Sequence, residues 1–226
     1  MDKLIVCDIA GTTLQDFNEV NKSFVQSFNS FNIFPSKDQI DKVMGLSKPL
    51  AIQLILKDLK ISMDPLQIHK SFLYNMIQHY SDKNNVREIP GTTYAFKLLK
   101  EKGYKIALDT GFSQDITDVI IKTTGWLENG IIDAVISSDQ VSSGRPYPYM
   151  IYHIMETLQI QSIRNVIKVG DTISDIQEGL NAGCGVVIGV TSGTYSRQQF
   201  EKYPGNFYIL PDVTHIPSLL ESIKNV

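Results

Sequence analysis

Hydrophobic positions along the chain alternate between short continuous runs and patterns with helical spacing. Residues 4–7 are an apolar run that ends at Asp8 and precedes a turn at Gly11, which is typical of a buried strand in a parallel sheet. Similar short runs occur at 104–108, 131–136, 166–169, 185–190 and 207–210. Helical patterns and helix start signals separate these runs. The alternation predicts an α/β fold with a doubly wound parallel sheet.

One part of the chain interrupts this alternation. Between residues 15 and 86 apolar side chains such as Phe24 and Phe28 recur near a period of 3.6, and no strand pattern occurs. The pattern and start signals predict helices at 15–32, 36–44, 49–59 and 64–81. We therefore expect a small all-helical domain at 15–86, inserted after the first strand. The core domain is then formed by residues 1–14 and 87–226.

Composition narrows the class of protein. The 226 residues are 42% hydrophobic with a formal net charge of −3, which is ordinary for a globular protein and gives no basic surface for nucleic acid or an anionic membrane. No apolar run approaches the length of a membrane span. Cys7 and Cys184 lie in or beside apolar runs, so we expect buried thiols in a reduced, cytoplasmic protein.

Polar residues with complementary chemistry follow three of the predicted strands. The strands lead into Asp8, Thr110 and Asp171, so these side chains should meet at the carboxyl edge of the sheet, where open α/β folds bind ligands. Arg145, just ahead of a helix, is the natural cation for the same crevice. Two carboxylates, a hydroxyl and a fixed cation predict a phosphoryl-transfer site in which Asp8 attacks phosphorus.

The same arrangement predicts the cofactor and the groups that bind phosphate. Asp8 and Asp171 would hold Mg²⁺, which prefers carboxylate and phosphate oxygens. The turns after the first two strands add Thr12 and Gly111, whose hydroxyl and backbone N–H groups suit an anion. The expected substrate is a small phosphorylated or phosphonate compound.

Four segments resemble the motifs of the haloacid dehalogenase superfamily. They are DIAGTT at 8–13, DTG at 109–111, GRP at 144–146 and GDTISD at 170–175. The resemblance implies a Rossmann-like core, an aspartyl-phosphate intermediate on Asp8 and a helical cap domain at 15–86. It also implies that the backbone carbonyl of Ala10 binds the metal ion and that Asp175 supports the site.

Within that superfamily the chain is most similar to the phosphonoacetaldehyde hydrolases, or phosphonatases. The similarity rests on Ala10, MGLSK at 44–48, GRPYPYM at 144–150 and IKVGDT at 167–172. Ala10 stands where most phosphatases of the superfamily carry an acidic residue that protonates the leaving group. The resemblance implies that Lys48 replaces this acid by forming a Schiff base with the substrate aldehyde, and that Met44 and Gly45 contact the substrate.

The residues near Lys48 leave the substrate open. Lys48 precedes Pro49 at a predicted helix start, where the helix dipole should lower the pKa of its amine. The phosphonatases have a histidine where this chain has Ala51 and a tyrosine where it has Phe112. Three hypotheses therefore stand: a phosphonatase-like hydrolase, a phosphomonoester phosphatase that cleaves P–O bonds, and a phosphometabolite-binding protein without activity.

Two further expectations concern Lys168 and assembly. Lys168 precedes Asp171 on a predicted strand and could either reinforce the phosphate site or bond to a neighbouring carboxylate. The resemblance also implies a possible homodimer that pairs through the cap.

Overall fold

A six-stranded parallel sheet forms the centre of the molecule. The computed structural model describes residues 3–43 and 46–223. The strands are β1 (Lys3–Cys7), β2 (Tyr104–Thr110), β3 (Ala134–Ser137), β4 (Val166–Gly170), β5 (Val186–Val190) and β6 (Tyr208–Leu210). Their order in the sheet is β3-β2-β1-β4-β5-β6, and every pair is parallel. The predicted α/β fold with a parallel sheet is confirmed.

Helices connect the strands and cover both faces of the sheet. They are α1 (Glu19–Asn29), α2 (Lys37–Asp41), α3 (Lys48–Asp58), α4 (Pro65–Ser81), α5 (Thr92–Glu101), α6 (Gln114–Thr124), α7 (Tyr149–Thr157), α8 (Ile173–Ala182), α9 (Arg197–Glu201) and α10 (Ile216–Ser222). Helix α9 was not predicted, although Ser196 and Gln199 form a capping box at its start. Among the helices that the structure describes, none combines the length and apolarity that crossing a membrane requires.

The first strand is continuous in apolar residues because it is buried on both faces. Side chains of a strand alternate between faces, so Leu4 and Val6 pack into one core cluster while Ile5 and Cys7 pack into another. Strand β1 pairs with β2 and β4 on its two sides. This central position brings the ends of three strands together at one edge.

The described residues between 15 and 86 form helices α1 to α4 and no strand. Helices α1 and α4 pack through aromatic rings: Phe24 meets Phe28 and Phe72 edge-to-face, with centroids 5.3 and 5.7 Å apart. These rings belong to the same buried cluster as Ile5 and Cys7 of the sheet. Helix α3, which begins at Lys48, contributes buried residues to the same cluster.

Candidate active site

The carboxyl edge of the sheet holds the predicted catalytic residues around one small cavity. Asp8 directly follows β1, Thr110 is the last residue of β2, and Asp171 directly follows β4. All three line a cavity of about 40 Å³, and Lys48 of α3 and Ala10 line it as well. The structure therefore brings the core residues and the lysine of the helical segment together, although they are far apart in sequence.

Asp171 is held in place by the turn after β1 and by the loop after β5. Its Oδ2 accepts a hydrogen bond from the Thr194 backbone N–H at 2.6 Å, and its Oδ1 accepts one from the Thr12 hydroxyl at 3.2 Å. A Cβ on Gly11 or Gly193 would lie 2.5 or 2.1 Å from Asp171 Oδ2, so this approach requires glycine at both positions. The expectation that Thr12 contacts phosphate is corrected here, because its buried hydroxyl is directed to Asp171.

Arg145 lies at the centre of a buried ionic network. Its Nη1 is 2.7 Å from Asp8 Oδ1, and its Nε is 3.1 Å from Glu178 Oε2. It also forms an ion pair with Asp109 and lies 3.1 Å from Asp175 Oδ1. The side chain is only 3% exposed, yet it lines the cavity. Arg145 is therefore the predicted cation of the crevice, but carboxylates already occupy most of its donors.

Lys168 belongs to the same network and does not line the cavity. Its ammonium is 2.6 Å from Asp109 Oδ2, 2.9 Å from Glu178 Oε2 and 3.3 Å from Asp175 Oδ1. Of the two predicted roles, the structure supports bonding to carboxylates and not contact with a phosphate. Burial opposes ionisation of Asp109, but the charges of Arg145 and Lys168 outweigh it and hold the Asp109 pKa at about 2.

The carboxylates that lie close enough together to share a metal ion are not the two carboxylates predicted to hold it. One oxygen from each of Asp8, Asp109 and Asp175 lies within 4.8 Å of the others, and Asp171 is not part of this group. The physical reason is that Arg145 draws Asp8, Asp109 and Asp175 together, while Asp171 is held by hydrogen bonds from Thr12 and Thr194. The side chain of Asp109 is enclosed by cations and does not line the cavity.

The site carries more negative than positive charge. Among the described residues, five buried carboxyl groups share the site with three buried cationic side chains, Arg145, Lys168 and Lys48; the carboxyl groups are those of Asp8, Asp109, Asp171, Asp175 and Glu178. Glu178 Oε1 has no hydrogen-bond partner within the described residues, whereas Asp175 Oδ1 lies 3.1 Å from Arg145 Nη1 and 3.3 Å from Lys168 Nζ.

The excess charge shows in the titration of these groups. Burial, reinforced by the charges of Asp175 and Asp171, raises the pKa of Asp8 to about 8 against the effect of Arg145. Burial and Asp175 raise the Asp171 pKa to about 6. Additional positive charge at this site would therefore favour the ionised forms of Asp8 and Asp171.

Lys48 is a buried amine without a carboxylate partner. It is 5% exposed, and its Nζ lies 5.6 Å from the Phe24 ring centre and 5.9 Å from that of Phe72. In the described part of the chain it forms no ion pair. Burial lowers its pKa to about 8, while the negative charges of Asp16 and Asp8 act in the opposite direction. Much more neutral amine is thus available near neutral pH than an ordinary lysine has, as a nucleophilic lysine requires.

The other predicted site residues fall into three groups. Gly111 lines the cavity beside Thr110, whose hydroxyl accepts a hydrogen bond from the Phe112 N–H at 3.2 Å. Asp175 completes a capping box with Thr172 at the start of α8 and also contacts Arg145. The predicted contacts of Met44 and Gly45 lie outside the described residues.

Four residues at the site were not predicted from sequence. Glu178 lies three residues after Asp175 on α8, so their shared helix face was a usable signal. Asp109 directly precedes Thr110 on β2 and could have been inferred as a partner of a buried cation. Asp16 and Thr194 gave no local signal, because only the fold brings the segments after β1 and β5 to this cavity.

Comparison with known proteins agrees with the fold. A family model described as haloacid dehalogenase-like hydrolase matches residues 5–189. A phosphonoacetaldehyde hydrolase of Lysinibacillus sphaericus is 30% identical, with 87% of this chain and 78% of the relative covered. One of Parabacteroides distasonis is also 30% identical, with 63% of this chain covered, and the match spans 62% of that relative's length.

The fold recurs in a solved structure. The crystal structure of a phosphonoacetaldehyde hydrolase-like protein from Oleispira antarctica superposes with a TM-score of 0.79 at 20% identity, covering 97% of this chain and 91% of that one. The family match extends from β1 to β5 and so includes the segments that carry Asp8, Thr110, Arg145 and Asp171. The chain belongs to the haloacid dehalogenase-like hydrolase family.

Proposed function

We propose that this hydrolase cleaves the C–P bond of a phosphonoacetaldehyde-type substrate, using Asp8 as the nucleophile and Lys48 to activate the leaving group. The observation that carries the proposal is the presence of a buried amine, with a pKa lowered to about 8 by burial, in the same cavity as Asp8. Most lysine side chains are exposed to solvent, so the burial of Lys48 in this cavity supports a function for its amine. The relatives named phosphonoacetaldehyde hydrolase support this substrate class.

Ala10 makes such an activation necessary. Its side chain lines the cavity but cannot donate a proton to a departing group. A protonated imine on Lys48 removes that need, because it accepts the electron pair of the breaking C–P bond and becomes an enamine. Asp8 meanwhile attacks phosphorus and forms an aspartyl-phosphate, and water then releases phosphate from it.

The positive groups of the site compensate the repulsion between Asp8 and an anionic substrate. Two unit charges about 4 Å apart repel by roughly 4 kcal/mol at an effective dielectric constant near 20. Arg145 already contacts Asp8 and aligns its carboxylate. The Thr110 hydroxyl and the Gly111 backbone line the cavity and would hydrogen-bond the phosphoryl oxygens in the transition state.

The residues also fit Mg²⁺. The excess of buried carboxylates, two of which line the cavity as Asp8 and Asp171, matches a divalent ion with oxygen ligands. Asp8 and Asp171 would hold it together with the Ala10 backbone carbonyl, since these groups line the cavity, and it would neutralise charge on the phosphoryl group. Asp109 is excluded as a ligand because Lys168 and Arg145 already occupy its carboxylate.

The division into domains and the assembly are part of the same proposal. We assign residues 15–86 as a cap and residues 1–14 with 87–226 as the core, because Lys48 and Asp16 of the helical segment complete a cavity built by the sheet edge. Movement of the cap would admit substrate and exclude water during phosphoryl transfer. Pairing through the cap remains the proposed route to a homodimer. Two buried free cysteines support a reduced, cytoplasmic location.

A phosphomonoester phosphatase is the second candidate. It is favoured by Ala51 and Phe112, which lack the histidine and tyrosine found at these positions in the phosphonatases that the chain resembles. In that case Ala10→Asp should raise ester turnover, because it supplies the missing acid.

A phosphate-release assay decides between these functions. It compares phosphonoacetaldehyde with a panel of phosphomonoesters in the presence of Mg²⁺, and borohydride is added to reduce any imine. We expect phosphate release from phosphonoacetaldehyde and a reduced adduct on Lys48. The variant Lys57→Met, which changes an exposed lysine of the same helix, is the control and should behave as wild type. Rapid ester turnover without an adduct would establish the phosphatase, and metal binding without any turnover would establish a binding protein.

A further inference from the structure

Asp16 is a carboxylate of the cavity for which the proposed reaction has no role so far. It lies between β1 and α1, and its Oδ1 accepts hydrogen bonds from the backbone N–H groups of Glu19 and Val20 at 2.7 and 3.3 Å. Its Oδ2 has no hydrogen-bond partner within the described residues. Asp16 lines the cavity that also contains Asp8 and Lys48. One oxygen is therefore fixed by the helix start while the other is available to a ligand.

A second, larger cavity meets the first at Asp16. It has a volume of about 470 Å³ and is lined by polar side chains of α1, α2 and the loop after β5, including Asn18, Lys37 and Asp41. The reacting cavity is smaller, with a volume of about 40 Å³. Asp16 thus lines both the cavity that contains Lys48 and a polar space that can hold water, which suits a group that exchanges protons.

The chemistry of Lys48 requires such a group. Forming an imine removes the carbonyl oxygen as water, which needs a proton donor, and leaves a positive charge on nitrogen. Ala51 and Phe112 cannot supply a proton. The other carboxylates near Lys48 are engaged, since Asp8 bonds to Arg145 and Asp171 bonds to Thr194.

The electrostatics agree with this placement. Of the charged groups around Lys48, Asp16 favours the ammonium form most, followed by Asp8 and, weakly, by Asp171. Arg145 disfavours that form. Burial outweighs all of these charges and lowers the Lys48 pKa to about 8. Burial also raises the pKa of Asp16, with a further increase from Glu19, although the two backbone hydrogen bonds and Lys48 oppose the change. Both groups therefore change protonation state more easily near neutral pH than they would in water.

We propose that Asp16 is the proton donor and counter-charge for imine formation on Lys48. This inference rests on the proposed function. It explains how the site operates with Ala51 and Phe112 in place of the histidine and tyrosine of similar proteins.

Imine formation on Lys48 would take place in two stages, addition of the amine and loss of water. The neutral Lys48 amine forms a bond to the aldehyde carbon, the carbonyl electron pair moves to oxygen, and a proton shifts from nitrogen to that oxygen. The protonated Asp16 carboxyl then gives its proton to the resulting hydroxyl group. The C–O bond breaks, water leaves, and the nitrogen lone pair forms the C=N bond. The products are a protonated imine, one water molecule and the Asp16 carboxylate, which faces the new positive charge.

Neutral variants that keep the helix start intact test this role. Asp16→Asn and Asp16→Ser both retain an oxygen that can accept from the first amides of α1, so a purely structural role predicts little change. Asp41→Asn is the matched control, because Asp41 lines the larger cavity but not the reacting one. Unfolding midpoints of all variants establish that they are folded.

Two readouts are followed as a function of pH. The first is the rate of borohydride-trapped adduct formation between phosphonoacetaldehyde and Lys48. The second is the reaction of Lys48 with an amine-modifying reagent, located by peptide mass spectrometry, which needs no substrate and reports the Lys48 pKa. We expect Asp16→Asn and Asp16→Ser to slow trapping by about 100-fold or more and to lower the Lys48 pKa. Asp41→Asn should change neither, and Asp16→Glu should recover part of the rate.

The outcomes separate this inference from the function on which it rests. If wild type forms the adduct and both neutral Asp16 variants form it at the same rate with the same pH profile, Asp16 has no such role. If wild type forms no adduct and releases no phosphate from phosphonoacetaldehyde, the proposed function fails and this role fails with it.

Discussion

Replacing Lys48 with methionine should stabilise the folded protein while it abolishes turnover of an aldehyde substrate. Burial lowers the Lys48 pKa from 10.5 to about 8, against the charges of Asp16 and Asp8. Between these two pH values the unfolded chain binds a proton that the folded chain has lost, so stability rises with pH across that window. Below about pH 8 the full cost of the buried amine is present. Methionine has a similar length and carries no charge.

The magnitude follows from this interval. The range from 10.5 to about 8 corresponds to roughly 3 kcal/mol at pH 7, because one pKa unit is worth about 1.4 kcal/mol. Lys48 recovers part of this through its contacts with Phe24 and Phe72 at 5.6 and 5.9 Å, which are worth about 0.5–1 kcal/mol each. A methionine would keep favourable sulfur–aromatic contacts. We therefore expect Lys48→Met to gain about 2 kcal/mol at pH 7.

Urea unfolding at two pH values provides the assay. The stability difference between Lys48→Met and wild type should shrink to less than about 1 kcal/mol at pH 10, where the unfolded chain also begins to lose the proton. Lys57→Met, on the exposed face of α3, should stay within about 0.5 kcal/mol of wild type at both values. A variant that is less stable than wild type at pH 7, or a difference that does not change with pH, would refute the reasoning.

Three further predictions concern the rest of the site. Lys168→Met should lower the free energy of unfolding in urea by about 3–5 kcal/mol, because it leaves buried carboxylates unpaired. Lys100→Met, which removes the 2.6 Å ion pair with Asp133 near the surface, should lower it by less than about 1 kcal/mol, and equal losses would contradict the buried network. Mg²⁺ at 100 times its Kd should stabilise wild type by about 2.7 kcal/mol in thermal unfolding, and Asp171→Asn should lose most of this gain; an unchanged gain would remove Asp171 as a ligand. Burial raises the pKa of Cys7 beyond its ordinary range and that of Cys184 to about 12, so neither thiol should react with a thiol reagent in the folded protein, and rapid modification without urea would contradict their burial.

The sheet and its reactive edge could be predicted because they follow from local patterns. A parallel strand buried on both faces reads as a continuous apolar run, and its last residue then has a known position in the fold. Asp8, Thr110 and Asp171 were therefore placed at one edge without any knowledge of their distances. The predicted end of the first strand was one residue too late, since β1 ends at Cys7 and not at Asp8.

The bonding within the site could not be predicted in the same way. Whether Arg145 binds phosphate or carboxylates depends on how many acidic groups the fold gathers around it, and these come from three separate segments: the end of β1, strand β2 and helix α8. The same holds for Thr12, whose hydroxyl was expected on a phosphate and is taken up by Asp171. Asp16 and Lys48 line one cavity only because the fold brings the segment after β1 close to the start of α3. Such side-chain partners depend on tertiary contacts that leave no period in the sequence.

The central claim is that phosphorus is transferred to the carboxylate of Asp8. Its most direct test is acid quenching of the enzyme during turnover of phosphonoacetaldehyde with Mg²⁺, followed by mass spectrometry of the peptide that contains Asp8. We predict one phosphoryl group on that peptide in wild type, and neither this group nor phosphate release in Asp8→Asn. Phosphate release by Asp8→Asn at the wild-type rate would contradict the account.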